Sequence, residues 1–482
     1  MQELIDRALD AAERSGATYA DIRLVERESE SLTVKNGARE SAEAQRTAGL
    51  GVRILIDGAW GFASSALLEP DEAERVAREA AGVARASATA VREPVHLDET
   101  APAQGRYATP VTEDPFSVSL DEKLRILLEA DREMAAVPGV TIREGSLDWS
   151  RERKTFASSQ GARTEQELVE AGGGIEATAV NENEVQLRTY PQGSGGQLVT
   201  GGFEAVRGLD LPGNARRIAD EALALLDAPQ CPSGEMTVII ESSQLAQQVH
   251  ESCGHPIELD RVLGMEASFA GTSFLTLDKL DHFRYGSKLV NIDADATAPG
   301  GLGSFGWDDE GVPAQNVPIV SSGEFVGYLT SRETAPRIGR HSMGSSRAWG
   351  WNRIPLIRMT NISLRPGNGG GLERLISDTS DGIYLETNRS WSIDDRRLNF
   401  QFGTQVGWLI KDGRRTTLVR NPTYTGITPT FWGSCDAIAD ASSWAQWGVP
   451  NCGKGEPMQT GHVGHGASPA RFRKVQVGVG RW

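Results

Sequence analysis

VHESCGHPIELDR, residues 249–261, decides how this chain is read. It places His250, Glu251 and His255 on one short stretch, with Pro256 directly after. Zinc-binding helices carry two histidines four residues apart, with a glutamate following the first. Here the separation is five. In a regular helix each residue turns about 100°, so four residues return to within about 40° of the starting face. Five overshoot to about 140°. Two imidazoles so placed cannot grip one ion, but one extra residue in the turn, a π-bulge, brings the second back. The spacing therefore predicts a bulge at 252–254, with Gly254 easing it through its tolerance of unusual dihedrals. Pro256 predicts that His255 leaves the α region. The plainer alternative is two hydrogen-bonded histidines near a helix end.

The segment upstream, MTVIIESSQLAQQ, reads as strand, cap and helix, with Ser242 or Ser243 accepting an orphan backbone N–H. In zinc-assisted hydrolysis a glutamate beside the first histidine is a general base, not a ligand. A catalytic zinc takes three protein ligands and keeps one position open, so a third ligand must come from elsewhere. The candidates are Cys452, Cys435, His341, His462, His465, Glu258 and Asp260. Cys452, between Asn451 and Gly453, reads as a turn where a thiol projects, and thiolate binds zinc well. Cys231 and Cys435 read as small buried hydrophobes, and Cys253 should point away from the ion. His462 and His465 are secondary ligands or substrate contacts.

Working outward, the chain of 482 residues is long enough for two or three domains. Hydrophobic residues at 39% and charged residues at 24% place it with soluble globular proteins. No run of about 18 apolar residues appears, so no membrane span is expected. The N-terminus lacks the basic-then-apolar layout of a secretory signal, and four cysteines make no disulfide framework; the expectation is a cytoplasmic protein. The net charge of −16 argues against a direct grip on nucleic acid.

The first part, 1–227, reads as an α+β domain with an antiparallel sheet. Helices are expected over 2–14, 70–87, 119–136 and 213–226. SLTVKNGARESAEAQ reads as a hairpin turning at Asn36-Gly37, and GVRILIDGAWGFASS as two more strands around Asp57-Gly58. APQCPSGE, 228–235, breaks the pattern. From 228 to 482 the chain is Gly-rich and mostly β, with repeated short strand patterns from MTVIIES to RKVQVGVG and one clear helix, the one bearing the histidine motif. Nine of the eleven tryptophans lie here, all but Trp60 and Trp149; most are expected in the core, and some to line a channel. The fold class is α+β.

These residues resemble the TldD/PmbA family of metallopeptidases, in its TldD-like catalytic branch. The resemblance rests on His250-Glu251-Ser252-Cys253-Gly254-His255, WDDEGVPAQNVPIV at 307–320, Gly327-Tyr328, RMTNISLRPG at 358–367, GIYLETN at 382–388 and Asn451-Cys452-Gly453-Lys454. It implies zinc-dependent proteolysis in the cytosol. It also implies His250, His255 and Cys452 as ligands of Zn2+ and Glu251 as the catalytic glutamate. The implied working unit is a homodimer, or a heterodimer with a PmbA-like subunit. Members have also been called modulators of DNA gyrase; the acidic charge gives that no support through DNA contact.

The expected substrate is a peptide or an unfolded protein segment, taken as an added strand on an open sheet edge. Two other readings compete. A peptide-binding or scaffold protein with a structural zinc would need a fourth protein ligand, His462 or Cys435. A metal-free protein would use acidic clusters such as Asp308-Asp309-Glu310 to bind a cationic peptide.

Overall fold

The computed structural model describes residues 1–193 and 195–478. Helix Gln2–Arg14 buries the stripe Leu4, Ile5, Ala8, Ala11 and Ala12. Asn36 and Gly37 take φ of 47° and 80°, and Asp57 and Gly58 take 50° and 74°. Positive φ at both central residues is what a tight hairpin turn demands, because its twist then matches that of the strands. The strands outrun their apolar patterns. Tyr19–Lys35 and Ala38–Ile56 pair along their whole length, so segments read separately in the sequence fuse. The exposed, polar start of the second strand carries no alternation. It stays extended because its partner supplies backbone hydrogen bonds whatever the side chains.

These strands belong to an eight-stranded sheet, antiparallel except for Gln104–Ala108, which runs parallel to Arg163–Val180. Helices Gln2–Arg14 and Pro70–Ala88 pack on Ile22, Val52 and Ile54. Leu120–Ala135 and Leu211–Asp227 pack in a second core with Leu147, Ala171 and Ile175.

Beyond residue 233 the architecture is mostly β. Gly234–Ile240 lies inside a seven-stranded sheet, parallel to Asp381–Ile393 and antiparallel to Ala470–Val477. The last two residues of the RKVQVGVG pattern lie outside the described residues. A six-stranded sheet ends in the order Asn361–Leu364, Gln459–Ala467, Ala445–Lys454, with the last strand at its edge. One core joins both sheets, and Leu245 and Val249 of the Ser242–Val249 helix are fully buried in it. Each such side chain contributes about 1.5–3 kcal/mol through burial. This is what holds the helix beside the edge strand.

The cap of that helix differs from expectation. Glu241 is the N-cap, its carboxylate accepting from Ser243 N at 2.7 Å, a position that the helix dipole favours for an anion. Ser242 Oγ instead donates to the Ala467 carbonyl at 2.7 Å. Among the described residues no helix is long and apolar enough to cross a membrane.

Candidate metal centre

The helix ends in a π turn, His250–Gly254, all five residues buried. His255 N donates to the His250 carbonyl, five residues back, at 3.2 Å. The two imidazole centroids lie 4.8 Å apart. A widened turn frees backbone groups that need other partners, and these are present. The Ser252 carbonyl accepts from Tyr285 Oη at 2.9 Å, and Ser252 Oγ accepts from Trp432 Nε1 at 2.9 Å. Cys253 packs into the core, away from the imidazoles, its thiol pushed up to about 12 by burial.

Two details of the turn differ from the sequence reading. His255 stays in the α region, at φ −67° and ψ −45°. The proline bias is outweighed by the bond to His250 and by close packing around the ring. Gly254 does not take a positive φ. It is glycine for space, since a Cβ there would sit 2.3 Å from Met359 Sδ.

Cys452 does not lie in an open turn. It is 5% exposed and stands within the Ala445–Lys454 strand. Val449 pairs with Val463 and Cys452 with Gly461, so this strand carries one more residue than its partner between those pairs. A β-bulge of this kind re-aims a side chain. It brings Cys452 Sγ to 3.8 Å from His255 Nε2. The ligand atoms of His250, His255 and Cys452 all lie within 4.8 Å of one another.

The hydrogen bonds around the rings fix which nitrogens are free. His465 Nδ1 lies 3.0 Å from the Ile362 carbonyl, which can only accept, so His465 donates there. Its Nε2 is then an acceptor, and at 2.7 Å it takes the Nδ1 proton of His250. His250 Nε2 is left with a bare lone pair. His255 Nδ1 donates to Glu258 Oε2 at 3.1 Å, which leaves its Nε2 bare on the side of Cys452. Burial holds all three imidazoles neutral, His255 near pKa 3 and His465 near 4. Burial raises the Glu258 carboxyl, but Lys454 and His255 together pull it well below its ordinary value. Lys454 Nζ reaches Glu258 at 3.3 Å and Asp260 at 2.7 Å, so the strand of Cys452 is tied to the anion that orients His255.

This donor set suits a divalent metal. Two bare imidazole nitrogens and a thiol converge, and the far side of each ring is held by a hydrogen bond, as ligating histidines require. Burial raises the Cys452 thiol, and a bound cation reverses that preference. Tetrahedral zinc, with bonds of about 2.0–2.3 Å, sets its ligands roughly 3.3–3.8 Å apart; the 3.8 Å between Cys452 and His255 meets this, and the set as a whole spans up to 4.8 Å, so the ligands would draw in on binding.

Glu251 lines the same cleft and is buried. Its Oε2 accepts from Arg397 Nη1 at 2.7 Å. Burial raises the Glu251 carboxyl above its ordinary value, and Arg397 offsets only part of that. Arg397 has a buried Nε without a partner. The sequence reading missed Arg397. It lies in the charged loop Asp394-Asp395-Arg396-Arg397 between two strands, where no local pattern marks one cation from the next.

The other candidates lie elsewhere. His462 Nδ1 pairs with Glu170 at 2.8 Å and its ring rests on Trp349. Cys435 Sγ lies 3.8 Å from the Ala437 carbonyl. His341 pairs with Asp98 on the surface, and Asp260 is bound to Lys454. The acidic run is buried and engaged: Asp308 accepts from the Ser346 and Val312 amides, Asp309 pairs with Lys154, and Glu310 with Arg53. It presents no open anionic surface for a cationic peptide. Of the tryptophans, Trp432 is core, whereas Trp391 is 48% exposed and lines the cleft.

The fold and donor set describe a candidate metal-binding site, and comparison with known proteins identifies the family. Three family profiles match successive stretches: PmbA/TldA metallopeptidase domain 1 over 20–84, the central domain over 113–226 and the C-terminal domain over 233–478. The chain belongs to the PmbA/TldD metallopeptidase family. It is 30% identical to a metalloprotease of Methanocaldococcus jannaschii over 96% of this chain and 97% of that one. It is 26% identical to a zinc metalloprotease TldD homologue of Saccharolobus solfataricus over 51% of this chain and 52% of that one. TldE from Thermococcus kodakarensis shares the fold, with a TM-score of 0.75 at 16% identity over 99% of this chain and 100% of that one.

Proposed function

We propose that this protein is a zinc-dependent peptidase acting on short peptides or unfolded segments, with His250, His255 and Cys452 as ligands and Glu251 as general base. The observation that carries the reading is the pinning of both rings from behind, by His465 and by Glu258, with a thiol within reach of the same point. Zinc bound there would lower the pKa of a water in its open position toward neutrality, from about 15.7 in bulk. Glu251 takes the proton from the attacking water and returns it to the leaving amine. Its raised pKa suits a base that must also act as an acid. Arg397 holds Glu251 in place.

The cleft is small, about 220 Å³. The Ala445–Lys454 edge strand beside it offers main-chain partners to an extended peptide. Against a structural zinc, no fourth His, Cys, Asp or Glu joins the three among the described residues, whereas closed sites use four. The proposal includes the dimer, either of two copies or with a PmbA-like subunit, and the cytoplasmic location that the family resemblance implies. It also includes a division of the chain into 1–227 and 228–482, which limited proteolysis checks by cutting near 228–235. Glu251→Gln tests the function: zinc content stays at about one per chain while peptide turnover falls about 10²–10⁴-fold. Unchanged turnover overturns the reading.

A further inference from the structure

A second cavity lies between the eight-stranded sheet and the segment from Phe305 to Arg358, and it shares no lining residue with the zinc cleft. Its wall carries four cations, Arg27, Lys154, Arg347 and Arg358, against three carboxylates. Those carboxylates are committed: Asp309 and Glu152 to Lys154 at 2.9 and 3.1 Å, Glu170 to His462 at 2.8 Å. Among the described residues neither Arg347 nor Arg358 has a carboxylate partner. Arg347 donates to the carbonyls of Met359 and His462, and Arg358 to those of Cys452 and Gln459. The Nε of each is buried without a partner, and Arg358 is only 3% exposed.

Asp309 and Glu170 act on Arg347 through space, but no carboxylate bonds either guanidinium among the described residues, and a buried charge left without a bonded partner is costly. Burial and the neighbouring Arg358 bring Arg347 down to about 10, so the Arg347 guanidinium remains charged at neutral pH. The cavity measures about 50 Å³, room for roughly four waters. Phe305 and Trp307 supply apolar wall.

We propose that this cavity binds a small monoanionic carboxylate, its oxygens taken by Arg347 and Arg358 and its short apolar body by Phe305 and Trp307. A planar carboxylate matches the guanidinium fork, and a surplus of one positive charge favours a monoanion over a phosphate dianion.

Calorimetric titration of the zinc-loaded full chain with propionate tests this, with propan-1-ol and propylammonium as controls. Propionate should saturate one site, and the controls should not bind. Cys452→Ser, which removes a zinc ligand, should bind propionate within twofold of wild type. Arg347→Gln should weaken binding at least tenfold. Glu170→Gln, which removes a carboxylate from the wall, should tighten it several-fold and decides the matter if Arg347→Gln does not fold. The proposal is overturned by an absence of saturation, by binding that disappears in Cys452→Ser, by undiminished binding in folded Arg347→Gln, or by no gain in Glu170→Gln.

Discussion

The two walls of the metal centre are built by the same device in different secondary structures. On the histidine wall one surplus residue widens a helical turn, and on the cysteine wall one surplus residue bulges a strand. They differ in how the surplus is held. The helical turn is braced by buried side chains, Tyr285 and Trp432 on Ser252, His465 and Glu258 behind the rings. The strand bulge is braced through the backbone, by its ladder to Gln459–Ala467 and by Arg358 on the Cys452 carbonyl. Precise aim of two rings needs side-chain partners, because an imidazole rotates about its own bonds. A thiol has one torsion and is aimed by placing its Cα.

The largest test of the comparison removes a wall's ligand outright. Cys452→Ser should leave the histidine turn folded but lower zinc content from about one per chain to near zero and abolish peptidase activity, read together by metal analysis and turnover. Retained zinc and activity would mean that the cysteine wall is not part of the centre. Next comes the brace behind His255. Glu258→Gln should weaken zinc binding about 10–100-fold in a chelator competition, and an unaltered affinity would break the claim that the histidine wall depends on side-chain bracing. Smaller still, Gly254→Ala forces a Cβ against Met359 and should destabilise the fold by about 1–3 kcal/mol in denaturant unfolding. No loss would show that the turn has slack.

A last test concerns pH dependence. In the zinc-free protein His255 and His465 titrate near 3 and 4, below the ordinary 6.5. Between those limits the unfolded chain binds more protons than the folded one, so stability rises with pH there. The contribution is complete above about pH 6.5 and is lost as pH falls toward 4 and 3. Thermal unfolding across this range should show the decline, and His465→Gln should flatten it in part.

The histidine wall was legible in the sequence because its geometry is local. A five-residue separation on a helix has one economical solution, and the widened turn at His250–Gly254 follows from counting. Its supports were less visible. In the sequence Gly254 reads as a flexible residue, whereas its role depends on where Met359 arrives from more than a hundred positions away. The cysteine wall was legible only as a residue. Asn451-Cys452-Gly453 looks like a turn because those residues favour turns, yet the segment is strand because Gln459–Ala467 pairs with it. Arg397 left no trace, since its importance comes from reaching Glu251 across 146 positions. The helices and tight hairpin turns of the first part were readable for the same local reason, and the full length of its strands was not, because pairing carries them past their apolar stretches.

X-ray absorption at the zinc edge of the purified protein measures both walls at once. Two nitrogens near 2.0 Å, one sulfur near 2.3 Å and one exchangeable oxygen are expected. A zinc with no sulfur, with two sulfurs, or with four protein donors and no water would contradict the account.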